Sequence, residues 1–320
     1  MVSKTKFIID NAAIKELFDD AGINNVLDIE PLSDGEFNAV FCARSSDKEY
    51  VIKIAPSDST LVMTYEKGMM EAELYWYSQF REHTTVVVPK IYYKDFSRKR
   101  IRSSYFIMEK INGVPLNKVK LPDADARLAT LASQAHRIRG ERFGYIQNGL
   151  YDDWYQALCA MTANIVADSA RAGKPCPNGE KLLEYIRCHR NVLAKADCRM
   201  VIFDIWLPNM IYSHCDGKTV FTWLDPERCF WGDRIADFVC LETFKSLTEH
   251  SASLEAYNNL SDTPVFAGAD EQIRFAAAQG YLALILETER YFRYTRGHFG
   301  WWRNTLAAKA IFGKAFGILS

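Results

Sequence analysis

The sequence lacks an excess of charge of either sign, a paired-cysteine motif and a long apolar run. Its 39 basic and 40 acidic residues give a net charge of −1, so nothing indicates the basic footprint of a nucleic-acid-binding protein. Its eight cysteines form no Cys-x-x-Cys pair and match no paired zinc-ligand spacing. No apolar run approaches the roughly 20 residues that a membrane-spanning helix needs. We therefore expect no nucleic-acid partner and no membrane partner.

The N-terminus also lacks the basic-then-apolar pattern of a secretory signal. Scattered cysteines are typical of reduced thiols in a cytosolic protein, so we expect a cytoplasmic location. What the sequence does have is length and apolar content: 320 residues, of which 48% are hydrophobic. These values predict one large domain or two modest ones with a sizeable core.

Hydrophobic patterning divides the chain into a β-rich part and a helical part. The first part begins with an amphipathic helix over residues 11–20, capped by Asp10. We expect strands at residues 39–43, 50–54, 91–93 and 104–110, with a helix at 61–80. Beyond Gly113, helices are expected at 123–139, 152–172 and 180–194, and short strands at 200–203, 210–212 and 220–224. The predicted fold class is α+β, with a small β-rich N-lobe of one sheet and one helix (residues 1–110) and a larger, mostly helical C-lobe (111–320).

Three oxygen-bearing side chains follow the late strands in the order D-x4-N-x15-D. They are Asp204, Asn209 and Asp225. A single loop aspartate most often caps or turns the chain, but the ordered set between apolar strands is harder to explain in that way. Carboxylate and amide oxygens are hard ligands suited to Mg²⁺. A separate carboxylate can orient a hydroxyl group and accept its proton.

A second set of residues upstream suits the handling of phosphate groups. Lys53 lies inside an apolar strand, where a lysine is poorly solvated unless it meets an anion. A lysine on the solvent face of the strand is the simpler alternative. The following helix offers Glu73 or Glu71 as an ion-pair partner. The turn at residues 33–38 could cover phosphates with backbone N–H groups, although a plain hairpin turn would look similar.

The order of these parts resembles the aminoglycoside phosphotransferase and choline-kinase-like group of small-molecule kinases, which share the protein-kinase-like fold. The resemblance covers residues 25–245. The family's S-x-G-x-x-N loop is similar to residues 33–38, its H-G-D-x4-N loop to residues 202–209, and its hinge to residues 106–113. Glu73 fits the register of the family's helix glutamate better than Glu71. The remaining matches are Lys53 and the metal-binding Asp225.

The resemblance implies a role for each matched residue. Ser33 and Gly35 would cover the phosphates of ATP, Lys53 positioned by Glu73 would contact them, and backbone groups near Glu109 and Ile111 would hold adenine. Asn209 and Asp225 would bind Mg²⁺, and Asp204 would be catalytic.

The catalytic loop departs from the family pattern at two positions. The usual histidine is Ile202 and the usual glycine is Phe203. We expect an ATP-dependent phosphotransferase that moves the γ-phosphate to a hydroxyl of a small molecule, which is the antibiotic-modifying activity in one branch of the family. The alternatives are a metabolic kinase of an amino alcohol or sugar, and a non-catalytic nucleotide-binding pseudokinase.

The acceptor molecule is the least determined part. A polycationic aminoglycoside calls for an acid-lined site, yet residues 228–320 contain ten acidic and ten basic residues. An aromatic stretch at residues 281–302, interleaved with Glu287 and Glu289, could bind a cation or a sugar ring. Helix packing is the simpler explanation of that stretch.

Overall fold

A computed structural model describes residues 4–32, 35, 37–215, 217–241, 246–247 and 252–320. The first lobe is an antiparallel sheet of five strands in the order β1-β2-β3-β5-β4. The strands are β1 (Asp28–Pro31), β2 (Ala39–Arg44), β3 (Glu49–Ile54), β4 (Ile91–Asp95) and β5 (Tyr105–Glu109). Two helices accompany them, α1 (Asn11–Asp20) and α2 (Met69–His83).

Alternation along the central strands gives the sheet two apolar faces. Ile52 and Ile107 pack in the cluster that contains the buried residues of α1. Val51 and Phe106 lie on the opposite face with Met70 of α2. The sequence assigned one helix to this sheet, but the structure packs a helix against each face. Strand β1 has no counterpart among the predicted strands.

The start of α2 differs from the predicted helix at residues 61–80. The helix begins at Met69, after Gly68 with a left-handed φ of 72°. The preceding segment is held by the second lobe instead, because the N–H and hydroxyl of Thr64 donate to Asp168 at 2.7 and 2.6 Å. Tertiary hydrogen bonds therefore override the helical periodicity of these residues.

The second lobe is mostly helical. Its helices are α3 (Ala124–Ala135), α4 (Trp154–Arg171), α5 (Pro177–Cys188), α6 (Arg190–Leu193), α7 (Phe238–Leu241), α8 (Ala252–Leu260), α9 (Ala269–Arg293) and α10 (Phe299–Leu319). Its strands are β6 (Val114–Pro115), β7 (Cys198–Val201), β8 (Met210–Cys215), β9 (Lys218–Trp223) and β10 (Phe230–Asp233). The helix predicted over 180–194 is divided at His189 into α5 and α6.

Two small sheets carry the segment from Asp204 to Asp225, which the sequence analysis identified as a candidate site. One has the order β6-β8-β9, and the other pairs β10 with β7. Asp204 comes three residues after β7 ends, and Asp225 comes two residues after β9 ends. The predicted combination of a β-rich N-terminal lobe and a helical C-terminal lobe is confirmed.

Within the described part of the chain, none of the helices has both the length and the apolar character required to cross a membrane.

Candidate functional site

Lys53 joins the two lobes through three carboxylates. Its Nζ lies 2.8 Å from Glu73 of α2 and 3.0 Å from Glu227, and it also contacts Asp225. The Lys53 side chain is only 7% exposed, so its charge must be balanced within the protein. The strand lysine therefore meets its anions as the sequence suggested, and Glu73 rather than Glu71 is the partner from α2.

This cluster holds more negative than positive charge. With all four groups ionised, one ammonium faces three carboxylates, which leaves a net charge of −2. Burial, together with the neighbouring carboxylates, raises the pKa of Glu73 to about 8 and that of Glu227 to about 7, although Lys53 opposes both shifts. Burial lowers the pKa of Lys53, but the three carboxylates outweigh it, so that pKa lies well above its usual value.

The donor set fits a divalent cation. Carboxylate oxygens of Glu73, Asp225 and Glu227 all lie within 4.8 Å of one another. The second oxygen of Glu73 is buried and finds no hydrogen-bond partner among the described residues. Crowded hard oxygens with uncompensated charge are what Mg²⁺ binds, and a divalent ion would cancel the net charge of −2.

The backbone around Asp225 is fixed from α2. Tyr77 follows Glu73 by one helical turn, so both side chains lie on one face of the helix. The N–H of Asp225 donates to the hydroxyl of Tyr77 at 3.0 Å. Asp225 has a φ of 63°, a left-handed conformation that aspartate tolerates better than most residues. One helix thus positions both the lysine's partner and the predicted metal ligand.

Asp204 and Asn209 lie in one short loop. The side-chain amide of Asn209 donates to the carbonyl of Asp204 at 3.3 Å. The carbonyl of Asn209 accepts the N–H of Leu224 at 2.8 Å, which ties this loop to the residue before Asp225. Asn209 is therefore bonded to Asp204 through its side chain and to Leu224, the residue before Asp225, through its backbone. Of the three predicted residues, only Asp225 contacts Lys53.

The loop departs from the family's sequence pattern at Phe203, and the backbone conformation is unusual at the same residue. Phe203 has a φ of 56°, a conformation that glycine adopts easily and that costs another residue about 1–3 kcal/mol. Its ring is buried against Phe230 and Tyr281 at centroid distances of 5.2 and 5.6 Å. Aromatic packing therefore holds the phenylalanine in a conformation that usually calls for glycine.

Asp237 fixes the same loop by accepting hydrogen bonds from its backbone. Its buried carboxylate accepts the N–H groups of Ile202 at 3.0 Å and Phe203 at 2.6 Å. His136, which directly follows α3, contacts that carboxylate through Nε2 at 2.9 Å. The loop has Ile202 where the family pattern has a histidine, and His136 instead contacts the aspartate that holds the loop.

Because the sequence predicts Asp204 as the catalytic residue, we expect Asp237→Asn to lower kcat about ten- to a hundredfold, since a misplaced Asp204 would lose alignment with its target. One carboxylate oxygen accepts both N–H groups, and the other lies 3.1 Å from the nitrogen of Ile202 and 2.9 Å from Nε2 of His136. An amide would turn a donor toward the N–H of Ile202, so the free energy of unfolding should also fall by about 1–3 kcal/mol. Steady-state kinetics and thermal unfolding measure the two effects. Asp233→Asn is the control, because Asp233 is equally buried but bonds Ile235 and Arg274 rather than the loop. Equal kcat values for the two variants would contradict the assigned role.

The carboxylate of Asp204 is 31% exposed and faces Arg228, whose Nε lies 4.0 Å away. Burial raises the pKa of Asp204, and the guanidinium opposes that shift. Arg228 also pairs with Glu289 at 3.2 Å, and Glu289 pairs with Arg293 at 3.3 Å. The surroundings of Asp204 are thus charge-balanced rather than acidic.

The other residues predicted to bind nucleotide are Ser33, Gly35, Glu109 and Ile111. Ser33 falls outside the described residues. Gly35 is exposed, and a Cβ there would approach no described atom closer than 3.9 Å, so packing within the protein does not require glycine. The N–H of Glu109 donates to the carbonyl of Lys90 at 2.8 Å, and the carbonyl of Ile111 accepts Nζ of Lys110 at 3.2 Å. The remaining groups that the hinge can offer a base are the carbonyl of Glu109 and the N–H of Ile111.

Three residues of this site were given no role from the sequence. Glu227 contacts Lys53 across 174 positions and accepts a hydrogen bond from Asn38 at 2.9 Å. Arg228 faces Asp204, and Asp237 holds the loop. Glu227 stands two residues after Asp225, and Asp237 ends the sequence G-D-R-I-A-D at residues 232–237, but neither position identifies its partner. Only the fold shows which partners they meet.

Comparison with known proteins identifies a family and a fold. The sequence model of a family described as "Phosphotransferase enzyme family" matches residues 28–259. No curated protein has a significant sequence match to the chain.

Several solved structures share the fold. The choline kinase LicA from Streptococcus pneumoniae is 18% identical with a TM-score of 0.66, covering 94% of this chain and 98% of that one. A protein described as a fructosamine-3-kinase from Haemophilus somnus 129PT is 17% identical with a TM-score of 0.65, covering 94% and 96%. The aminoglycoside phosphotransferase APH(4)-Ia, solved with AMP-PNP and hygromycin B, is 15% identical with a TM-score of 0.61, covering 96% and 98%. These similarities establish the protein-kinase-like fold.

Proposed function

This chain belongs to the phosphotransferase enzyme family, and we propose that it moves the γ-phosphate of ATP to a hydroxyl group of a small molecule. The observation that carries the proposal is Lys53, buried among Glu73, Asp225 and Glu227, with Asp204 on a loop tied to the residue before Asp225. That combination supplies a cation for the phosphates, oxygens for a metal and a carboxylate for the acceptor.

The lysine changes partners in this proposal. With nucleotide bound, Nζ of Lys53 would contact the α- and β-phosphates while Glu73 keeps its direction fixed. Asp225 and Asn209 would hold Mg²⁺, which would supply positive charge to neutralise the phosphates. Glu227, which already faces Lys53 at 3.0 Å, would join the oxygens that hold the ion. Backbone groups of Glu109 and Ile111 would bind adenine, and Ser33 and Gly35 would cover the phosphates.

Asp204 would orient the acceptor hydroxyl in line with the γ-phosphorus and accept its proton. Positioning and charge neutralisation supply most of the acceleration in phosphoryl transfer. Burial raises the pKa of Asp204, which makes its carboxylate a better proton acceptor than an exposed aspartate. Arg228, with Nε 4.0 Å away, opposes that shift.

The acceptor side favours a neutral hydroxylated molecule over a polycation. Glu289 is engaged by Arg228 and Arg293, and Glu66 is engaged by Arg293 at 2.6 Å. These carboxylates are therefore neutralised before any ligand arrives. A sugar or amino alcohol fits these surroundings better than an aminoglycoside, which needs uncompensated acids.

A screen of ADP production tests the proposal against a nucleotide-binding pseudokinase. Wild-type protein with ATP and Mg²⁺ is offered amino alcohols, sugars, small metabolites and aminoglycosides, with EDTA replacing Mg²⁺ as the control. We expect acceptor-dependent ADP formation that EDTA abolishes, with the highest kcat/KM for a neutral or singly charged hydroxylated acceptor. Mg²⁺-dependent ATP binding without turnover on any acceptor would favour the pseudokinase instead.

A further inference from the structure

The charges of the C-terminal region are segregated along the chain. All ten acidic residues of positions 228–320 lie before Arg290, whereas six of the ten basic residues lie at or after it. The last 31 residues therefore contain six cations and no acid. The balanced total over the whole region conceals this separation.

Most of this acid-free segment is helix α10, which packs through one face only. Buried residues on that face include Ile311, Phe312 and Leu319. The opposite face presents Phe299 at 77% exposure, Trp302 at 56% and Leu306 at 66%. Their spacing of three and four residues puts them in one stripe along the helix. Large apolar side chains that cluster at such exposure mark an interaction surface.

Exposed cations flank the apolar stripe. Arg303 and Lys309 lie on its two sides, and Lys314 follows five residues after Lys309. The guanidinium of Arg303 also donates to the hydroxyl of Tyr294 at 3.2 Å and to the side-chain oxygen of Asn304 at 3.1 Å, both neutral groups. The indole N–H of Trp302 donates to the carbonyl of Arg296 at 3.0 Å, so the polar edge of the ring is satisfied while much of the side chain stays exposed. The face thus combines aromatic and aliphatic anchors with positive charge alone.

We propose that this face of α10 binds an anionic lipid surface, with the helix axis parallel to the membrane plane. Aromatic and leucine side chains on one helix face, bordered by lysine and arginine, are the pattern of interfacial helices. Such binding does not need the long apolar run of a spanning helix. We expected no membrane partner only because the sequence has no apolar run long enough to span a membrane. The proposal revises that expectation for binding at a membrane surface.

A second copy of the chain fits the face less well. A two-fold contact between α10 helices would bring Arg303, Lys309 and Lys314 of both copies to one interface. Lys309 is exposed and α10 contains no acidic side chain, so the helix itself offers no carboxylate side chain to offset the repulsion. Anionic headgroups supply the missing negative charge, and each cation near such a surface strengthens binding.

Vesicle co-sedimentation of the full chain tests the proposal. We expect binding to vesicles of phosphatidylcholine mixed with phosphatidylserine that is at least about tenfold tighter than to phosphatidylcholine alone and weakens with salt. Leu306→Glu should lower the partition coefficient at least about tenfold, and Lys309→Gln should lower it several-fold. Phe266→Glu is the matched control, because Phe266 is 68% exposed but lies outside α10, and it should bind as wild type does.

Three results would overturn the inference. One is the absence of binding to anionic vesicles, and another is an equal loss of binding in Phe266→Glu and Leu306→Glu. The third is a dimer in sedimentation equilibrium that Leu306→Glu dissociates, which would assign the face to a second copy. Should Leu306→Glu fail to fold, the milder Lys309→Gln variant replaces it, and binding of that variant with the affinity and salt dependence of wild type would equally overturn the inference.

Discussion

Replacing Asp225 by asparagine should lower phosphoryl transfer on the order of a thousandfold and should remove its dependence on Mg²⁺. The loss follows from the charge that Asp225 contributes to the divalent-cation site, since metal stabilisation of the transition state amounts to several kcal/mol and each 1.36 kcal/mol is about tenfold in rate. Asparagine keeps the shape of the side chain and an oxygen ligand, so the change isolates the charge.

The same substitution should not destabilise the fold in the absence of metal. Asp225 is one of three carboxylates around a single ammonium, and its charge is among the causes that raise the pKa of Glu73 and Glu227. Removing it relieves repulsion while Lys53 keeps two partners. Thermal unfolding in EDTA should therefore give a Tm equal to or above that of wild type, as is usual where a site is built for function rather than stability.

Adding Mg²⁺ with ADP completes this test. A ligand that binds only the folded state raises Tm, so wild type should shift upward and Asp225→Asn should not. Asp58→Asn is the control, because Asp58 pairs with Arg98 on the surface at 2.7 Å and should respond as wild type does. A full Tm shift in Asp225→Asn would show that the cation binds elsewhere.

The sequence was sufficient to predict a residue's contacts where these follow from the residue's own chemistry and from the helix or strand that carries it. Lys53 in an apolar strand suggested an anionic partner, and the family resemblance favoured Glu73, which lies 2.8 Å away. The order of Asp204, Asn209 and Asp225 between strands indicated one region, and in the structure Asn209 bonds both Asp204 and the residue before Asp225. Periodicity likewise indicated most helices, because their burial follows from spacing alone.

The sequence was insufficient where a long-range contact decides. Glu227 reaches Lys53 from 174 residues away, and no local pattern separates it from a surface glutamate. Helix α2 begins eight residues later than periodicity predicts, because Thr64 bonds Asp168 in the other lobe. The sequence showed that residues 202 and 203 are unusual. It did not show that Asp237 and His136 hold the loop. The total charge also gave no sign of the acid-free C-terminal segment, because a total does not show where along the chain the charged residues lie.

The most direct test of the central claim is the turnover of Asp204→Asn beside its nucleotide affinity. Asparagine preserves the size of the side chain and can still accept a hydrogen bond, but it cannot take the proton of an acceptor hydroxyl. With the acceptor found by the ADP screen, kcat should fall by about 10²–10⁴-fold, while calorimetry should give a Kd for ATP and Mg²⁺ within about twofold of wild type. Turnover at the wild-type rate in Asp204→Asn would contradict the assignment of this site as the centre of phosphoryl transfer.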